Sequence, residues 1–220
     1  MKLFLDTANL EEIRKANDWG ILDGVTTNPS HVSKENIPFI SLVKQICEMM
    51  GDRPVSAEVV ATDAEGIIKE ARKLTKVAKN IVVKVPVIRE GIKAVSVLSR
   101  EGIKTNVTLN FSAVQALFAA KAGATYISPF IGRLDFAGQD GMALVREIRT
   151  IYDHYGFKTQ IITAAVRHPQ HVLQAALAGS HVTTSRLNIL EQCFEHPMTD
   201  AGLKMFMDDW NSIPEKLRKF

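Results

Sequence analysis

Two periodicities alternate along the chain. Short runs rich in β-branched and apolar residues, bounded by turn residues, read as strands, and longer segments with apolar residues every three or four positions read as amphipathic helices. Eight strands are predicted: Lys2–Asp6, Asp23–Thr26, Val55–Val60, Ile81–Val85, Lys104–Thr108, Tyr126–Pro129, Gln160–Ala164 and His181–Thr184. Between them lie segments such as Glu65–Ala78, whose Ile67, Ile68, Ala71, Leu74 and Ala78 share one helical face. Gly20, Gly51, Gly102, Gly123, Gly156 and Gly179 stand at the helix-to-strand joins, where a left-handed residue ends a helix. Eight βα units in 220 residues argue for α/β architecture as a single-domain (β/α)8 TIM barrel, residues 1–220, rather than an open doubly wound sheet. No GxGxxG or Walker pattern favours the open sheet. After the eighth strand, Leu187–Phe194 and Met198–Trp210 continue as helix. The second is more than a barrel needs, so 198–220 is expected to be a C-terminal helical extension that packs on a neighbour or caps an end.

The stretch Asn80-Ile81-Val82-Val83-Lys84-Val85-Pro86 reads as a strand buried on both faces, with one lysine in its middle and no counter-ion beside it in sequence. Burial disfavours the charged form of an amine, and a neutral amine is a nucleophile, so Lys84 is either a carbonyl-attacking residue or a lysine whose stem snorkels from a strand end to solvent. The other strands bear on that choice. Side chains alternate faces along a strand, and the polar groups fall on one parity only: Asp6 with Phe4, Thr26 with Asn28, Ser56 with Glu58, Lys84 with Val82, Asn106 with Thr108, Ser128 with Tyr126. Leu3, Leu5, Val55, Ala57, Val59, Val107 and Leu109 take the outward parity that helices must cover. Polar groups gathered near the C-terminal halves of several strands make a site, because barrel active sites lie at that end.

Composition narrows the class without naming the chemistry. A formal charge of +3 and 46% hydrophobic residues fit a chain with a sizeable core and small anionic substrates. No charge run is long enough for a nucleic-acid arm, and nowhere do about 18 apolar residues follow one another, so neither nucleic acid nor membrane is an expected partner. The opening apolar run is too short for a signal peptide, which points to the cytoplasm. Cys47 and Cys193 lie far apart within helix-like patterns and read as reduced core residues. Of the six histidines, His168 and His171 come nearest to a metal pattern but lack a third ligand, and read as surface residues at a helix start.

The residue types suggest carbonyl chemistry. Lys84 can attack a ketone, Glu58 can shuttle protons through water as the carbinolamine dehydrates, and Asp6 can take a hydroxyl proton as a carbon–carbon bond breaks. No metal or organic cofactor is needed. Asn28, Asn106, Thr108 and Ser128 either hold a sugar's hydroxyls or satisfy one another inside the barrel. Arg133 and Arg167, just past the sixth and seventh strands, either grip a phosphate bidentately or face solvent.

Seven segments make a pattern: Phe4-Leu5-Asp6-Thr7-Ala8, Gly24-Val25-Thr26-Thr27-Asn28-Pro29, Ser56-Ala57-Glu58-Val59, Val83-Lys84-Val85-Pro86, Gly102-Ile103-Lys104-Thr105-Asn106-Val107-Thr108-Leu109, Ser128-Pro129-Phe130-Ile131-Gly132-Arg133 and Arg167-His168-Pro169. In them the chain resembles, over nearly its whole length, the small transaldolase subfamily that also includes the fructose-6-phosphate aldolases. The resemblance implies Lys84 as Schiff-base residue, Asp6 as acid/base, and Glu58 with Thr108 around a catalytic water. It further implies Thr26, Asn28, Ser56, Asn106 and Ser128 around a dihydroxyacetone unit, with Arg133 and Arg167 on the phosphate. The transaldolases carry Glu rather than Gln at position 58 and Phe rather than Tyr at position 130, and this chain has Glu58 and Phe130. The implied reaction is transfer of dihydroxyacetone from sedoheptulose 7-phosphate to glyceraldehyde 3-phosphate, yielding erythrose 4-phosphate and fructose 6-phosphate, a step of the pentose phosphate pathway. The alternatives are an aldolase that releases dihydroxyacetone and a barrel that binds sugar phosphates without turning them over. The resemblance also implies a homo-oligomer built from pentameric rings, pentamer or decamer. Three positions depart from the pattern: Ala165 replaces an expected serine near the phosphate, Thr184-Ser185-Arg186 adds a cation, and His31 takes a usually aliphatic place.

Overall fold

The computed structural model describes residues 1–218; positions 219 and 220 of the predicted extension lie outside the described residues. Eight strands, β1 (Lys2–Asp6), β2 (Gly24–Thr26), β3 (Val55–Glu58), β4 (Ile81–Pro86), β5 (Thr105–Asn110), β6 (Tyr126–Pro129), β7 (Gln160–Thr163) and β8 (Val182–Ser185), pair in chain order. All are parallel, and β8 pairs back with β1, so the sheet closes into a barrel. Helix α1 (Leu10–Asp18) follows β1; α2 (Pro29–Val32) and α3 (Phe39–Met50) follow β2; α4 (Ala64–Leu74) follows β3; α5 (Arg89–Arg100) follows β4. Then α6 (Ala113–Lys121) follows β5, α7 (Ile131–Phe136) and α8 (Gly141–Tyr155) follow β6, and α9 (Pro169–Leu177) follows β7. Finally α10 (Leu187–Gln192) and α11 (Pro197–Ser212) follow β8. The protein is a single-domain (β/α)8 barrel.

Local chemistry starts and stops these elements. Asn9, Asp63, Ser112 and Asp140 each cap a helix by accepting from backbone N–H groups of its first turn, which leaves fewer orphan donors. The six glycines expected at helix ends all have φ between 60° and 85°, the region where a Cβ is penalised.

Two apolar layers sandwich the strands. Outward residues Leu5, Val25, Val55, Ala57, Val83, Val107, Ile127 and Ile161 are fully buried against the helices. Inside the barrel, Phe4, Val82, Tyr126, Ile162 and Val182 form a separate plug, with the rings of Phe4 and Tyr126 edge-to-face at 6.4 Å. Each plug residue Phe4, Val82, Tyr126 and Val182 lies one inward step before a polar one: Asp6, Lys84, Ser128 and Thr184. The plug closes the lower barrel, and the polar groups are pushed to the C-terminal rim.

The structure corrects three expectations. Leu109 does not pack outward: the β5–β6 register shifts between Val107 and Asn110, Leu109 takes φ 57°, and its side chain turns to the rim, 37% exposed. An inserted residue reverses the face of the residues after it. Cys47 is buried as expected, but Cys193 is exposed, because it sits past the last turn of the short α10. His171 is not a surface residue but is 6% exposed: its ring lies 3.7 Å from that of His168, and its Nε2 is 3.0 Å from Asp135 on α7. Lys84, with no counter-ion beside it in sequence, finds one on the neighbouring strand. As for the extension, no residue of α11 is buried, and Met198, Leu203 and Phe206 are each more than 60% exposed. Among the described residues, no helix is long and apolar enough to cross a membrane.

Candidate active site

Strand register builds the centre of the site. Parallel pairing sets Glu58 beside Lys84, and the shared inward parity aims both side chains into the barrel. Lys84, 4% exposed, places Nζ 3.0 Å from Glu58 Oε2 and donates to the Thr27 carbonyl at 3.1 Å. A buried ammonium is tolerated because it is paired and hydrogen-bonded. Register also sets Asp6 beside Thr26, whose hydroxyl donates to Asp6 Oδ1 at 2.8 Å and lies 2.6 Å from the Thr184 hydroxyl.

These groups open into a cavity of about 330 Å³ at the C-terminal ends of the strands. Its wall brings together Asp6, Thr26, Asn28, Glu58, Lys84, Thr108, Ser128, Phe130, Arg133 and Arg167. Ser56 and Asn106 are not on that wall. They lie beneath it in a buried chain in which Ser128 Oγ donates to Asn106 Oδ1 at 2.7 Å and Asn106 Nδ2 donates to Ser56 Oγ at 3.2 Å. That chain fixes the direction of Ser128. Asn28 spends its Oδ1 on capping α2 through the His31 N–H, at 3.1 Å, and its amide nitrogen lies 3.1 Å from His31 Nδ1. Among the described residues the Thr108 hydroxyl is buried without a hydrogen-bond partner, and it has its hydrogen-bonding capacity to offer a ligand.

At the rim, Phe130 meets Phe111 edge-to-face at 6.0 Å and carries the Arg133 guanidinium 5.2 Å above its ring. Arg167 approaches from the next turn. The two segments touch at Gly132, where an added Cβ would lie 2.2 Å from the Ala165 carbonyl oxygen and 2.8 Å from Arg167 Cγ, so only glycine permits the approach. Ala165 itself has φ 59°. Among the residues not singled out for the site, the cavity also takes in Lys34 and Leu109, and with them His31, Thr184 and Arg186. Nothing local marks Lys34, which reaches the wall from the α2–α3 connection. His31 is held below the usual histidine range, chiefly by burial and further by Lys84, Arg186 and Lys34, while Asp6, 3.9 Å away, opposes them. Five cationic side chains, Lys34, Lys84, Arg133, Arg167 and Arg186, thus share the cavity with two carboxylates. Such a cleft attracts anions.

Fold and site define a (β/α)8 barrel whose C-terminal rim carries a buried lysine–carboxylate pair under a cationic mouth. The chain belongs to the Transaldolase/Fructose-6-phosphate aldolase family, whose model matches residues 3–217, and is an enzyme of that family. It is similar to proteins named "Probable transaldolase" in Petrotoga mobilis, 58% identical with 99% of this chain and 98% of the relative covered, and Aquifex aeolicus, 57% identical with 98% and 99% covered. A third, from Methanococcus maripaludis, is 55% identical over 96% of this chain and 98% of its own. Among solved structures, thiamine phosphate pyrophosphorylase from Pyrococcus furiosus matches with a TM-score of 0.60 at 14% identity, covering 84% of this chain and 85% of its own. That likeness is one of fold alone.

Proposed function

We propose that this chain is a transaldolase that moves a dihydroxyacetone unit between sugar phosphates through a Schiff base on Lys84. The observation that carries the reading is the Lys84–Glu58 pair, 3.0 Å apart at the bottom of a cavity whose mouth is cationic. Glu58 is placed to receive the ammonium's proton, which frees the amine to attack a ketose carbonyl. With Thr108, it then serves proton transfer as the carbinolamine loses water. Asp6 takes the hydroxyl proton as the carbon–carbon bond breaks, and an aldehyde departs. The enamine left on Lys84 attacks an acceptor aldehyde, the imine is hydrolysed, and the new ketose leaves. Ser128 and Asn28 hold hydroxyls of the dihydroxyacetone unit, and Arg133 and Arg167 hold the phosphate. The family name covers both transfer and free aldol cleavage; Phe130, which has no proton to give the enamine, favours transfer.

The test is to supply fructose 6-phosphate and erythrose 4-phosphate and follow sedoheptulose 7-phosphate, with borohydride trapping of the protein in parallel. Transfer with a covalent adduct at Lys84, both abolished in Lys84→Ala, is the expected result. Release of dihydroxyacetone without transfer would make the enzyme an aldolase. Trapping at another lysine would overturn the role of Lys84, and no turnover at all would leave a sugar-phosphate binder. We further infer a homo-oligomer with a second copy of this chain against the exposed apolar face of α11, for which light scattering at micromolar concentration should show a mass several times 24.3 kDa. A monomer would refute it.

A further inference from the structure

We propose that His171 is a positioning residue for phosphate recognition: with Asp135 it braces the two turns that carry Arg133 and Arg167. The proposal rests on the assignment of those arginines to the substrate's phosphate.

The brace is a closed set of hydrogen bonds. His171 stands on the first turn of α9, four residues past Arg167. Its Nδ1 lies 3.3 Å from the Arg167 backbone nitrogen, which can only donate, so Nδ1 accepts and the ring proton is on Nε2. Nε2 in turn lies 3.0 Å from Asp135 Oδ2, on the helix that carries Arg133. The other oxygen, Asp135 Oδ1, accepts from the Gly141 N–H at 2.8 Å, at the start of α8. Both ring nitrogens and both carboxylate oxygens are therefore in use, and three segments meet at one pair of side chains.

Two further contacts tie the same turns. The Ile131 N–H donates to the Ala164 carbonyl at 3.1 Å, and Gly132 lies flush against Ala165 and the Arg167 stem. Arg133 and Arg167 are themselves exposed and, among the described residues, make no ion pair. Long side chains that reach out from two separate turns can hold a phosphate with a fork of donors only if their backbones are fixed at a set separation, and ordering those turns on binding would cost entropy. The brace supplies that separation before substrate arrives. It also depends on a neutral ring, because a second N–H at Nδ1 would point at the Arg167 N–H; burial, the His168 ring 3.7 Å away and the Arg167 guanidinium disfavour the charged ring, while Asp135 favours it.

A buried histidine can be merely satisfied, so the test must read phosphate specifically. With sedoheptulose 7-phosphate fixed as donor, the quantity is the ratio of kcat/KM for glyceraldehyde 3-phosphate to that for glyceraldehyde, read as fructose 6-phosphate and fructose formed. Losses in active fraction cancel in this ratio. Arg167→Gln tests the underlying assignment and should lower the ratio. His171→Phe keeps the ring volume and removes both hydrogen bonds; Asp135→Asn leaves one acceptor oxygen for two donors. Each should lower the ratio by roughly 10- to 100-fold, as expected for a group misplaced by about 1 Å. The double variant His171→Phe/Arg167→Gln should fall by less than the product of the two single effects, since part of what the histidine does is done through that arginine. An unchanged ratio in Arg167→Gln would remove the phosphate assignment, and the brace's function with it. A lowered ratio there, with His171→Phe and Asp135→Asn within about two-fold of the parent or slowing both acceptors alike, would overturn the brace alone. Should His171→Phe not fold, Asp135→Asn decides.

Discussion

Glu58→Gln keeps the shape of the side chain and one acceptor oxygen but removes the charge that faces Lys84. The ammonium would remain buried, with the Thr27 carbonyl as its remaining close protein partner. At 3.0 Å the attraction lost amounts to about 5–6 kcal/mol at an effective dielectric of ~20. Breaking one side of a buried pair costs roughly 3–5 kcal/mol in measured cases, and a retained neutral hydrogen bond returns about 1. The expected loss is therefore about 2–4 kcal/mol. For a chain of this size, ~2–4 °C per kcal/mol makes that a fall in Tm of about 4–16 °C at neutral pH. Scanning calorimetry measures it directly. Lys84→Met should cost less, because Glu58, with its side chain 14% exposed against 5% for Lys84, keeps contact with the open cavity. The double variant should then be less destabilised than the sum of the singles, by about 1 kcal/mol or more. A Glu58→Gln protein melting within about 2 °C of the parent would refute the reasoning, as would additivity of the singles. Activity should fall separately, by about 10²–10⁴-fold if Glu58 is the general acid–base group.

Phe130→Tyr would place a phenol among Phe111 and Arg133, beside the enamine of the proposed cycle. Release of dihydroxyacetone from fructose 6-phosphate without acceptor should rise relative to transfer, and an unchanged ratio would show that the ring only packs. Gly91→Ala puts a Cβ 2.1 Å from the Pro86 carbonyl at the end of β4, so it should destabilise by about 1–3 kcal/mol in urea unfolding; a neutral outcome would contradict the close approach of α5 to that strand. His31, His171 and His181 are all held below the ordinary histidine value, each chiefly by burial. The folded state thus binds fewer protons than the unfolded one, and stability should be full above about pH 6.5 and fall as the pH drops below it through the lowered values. A Tm equal at pH 7.5 and 5.5 would contradict this.

A local period along the chain carries part of this protein's architecture and no more. Alternation along each strand separated Asp6, Glu58, Lys84, Thr108 and Ser128 from the residues that helices cover, because neighbouring side chains on a strand must point to opposite faces. Glycines at helix ends were equally legible, since the left-handed conformation excludes most other residues locally. Tertiary structure alone decided relations across strands and turns. The counter-ion of Lys84 is invisible in its own segment because Glu58 is brought beside it by the β3–β4 register. Leu109 left its parity through a shift in pairing with β6, and no property of its own segment announces that shift. Ser56 and Asn106 fell below the cavity floor rather than on its wall, because depth in a barrel follows from strand stagger and not from parity. His171 offered only a missing third ligand in sequence, and its partner Asp135, 36 positions earlier, meets it because α7 and α9 lie on adjacent turns of a closed barrel. Periodicity says which way a side chain points; only closure of the sheet says what it meets there.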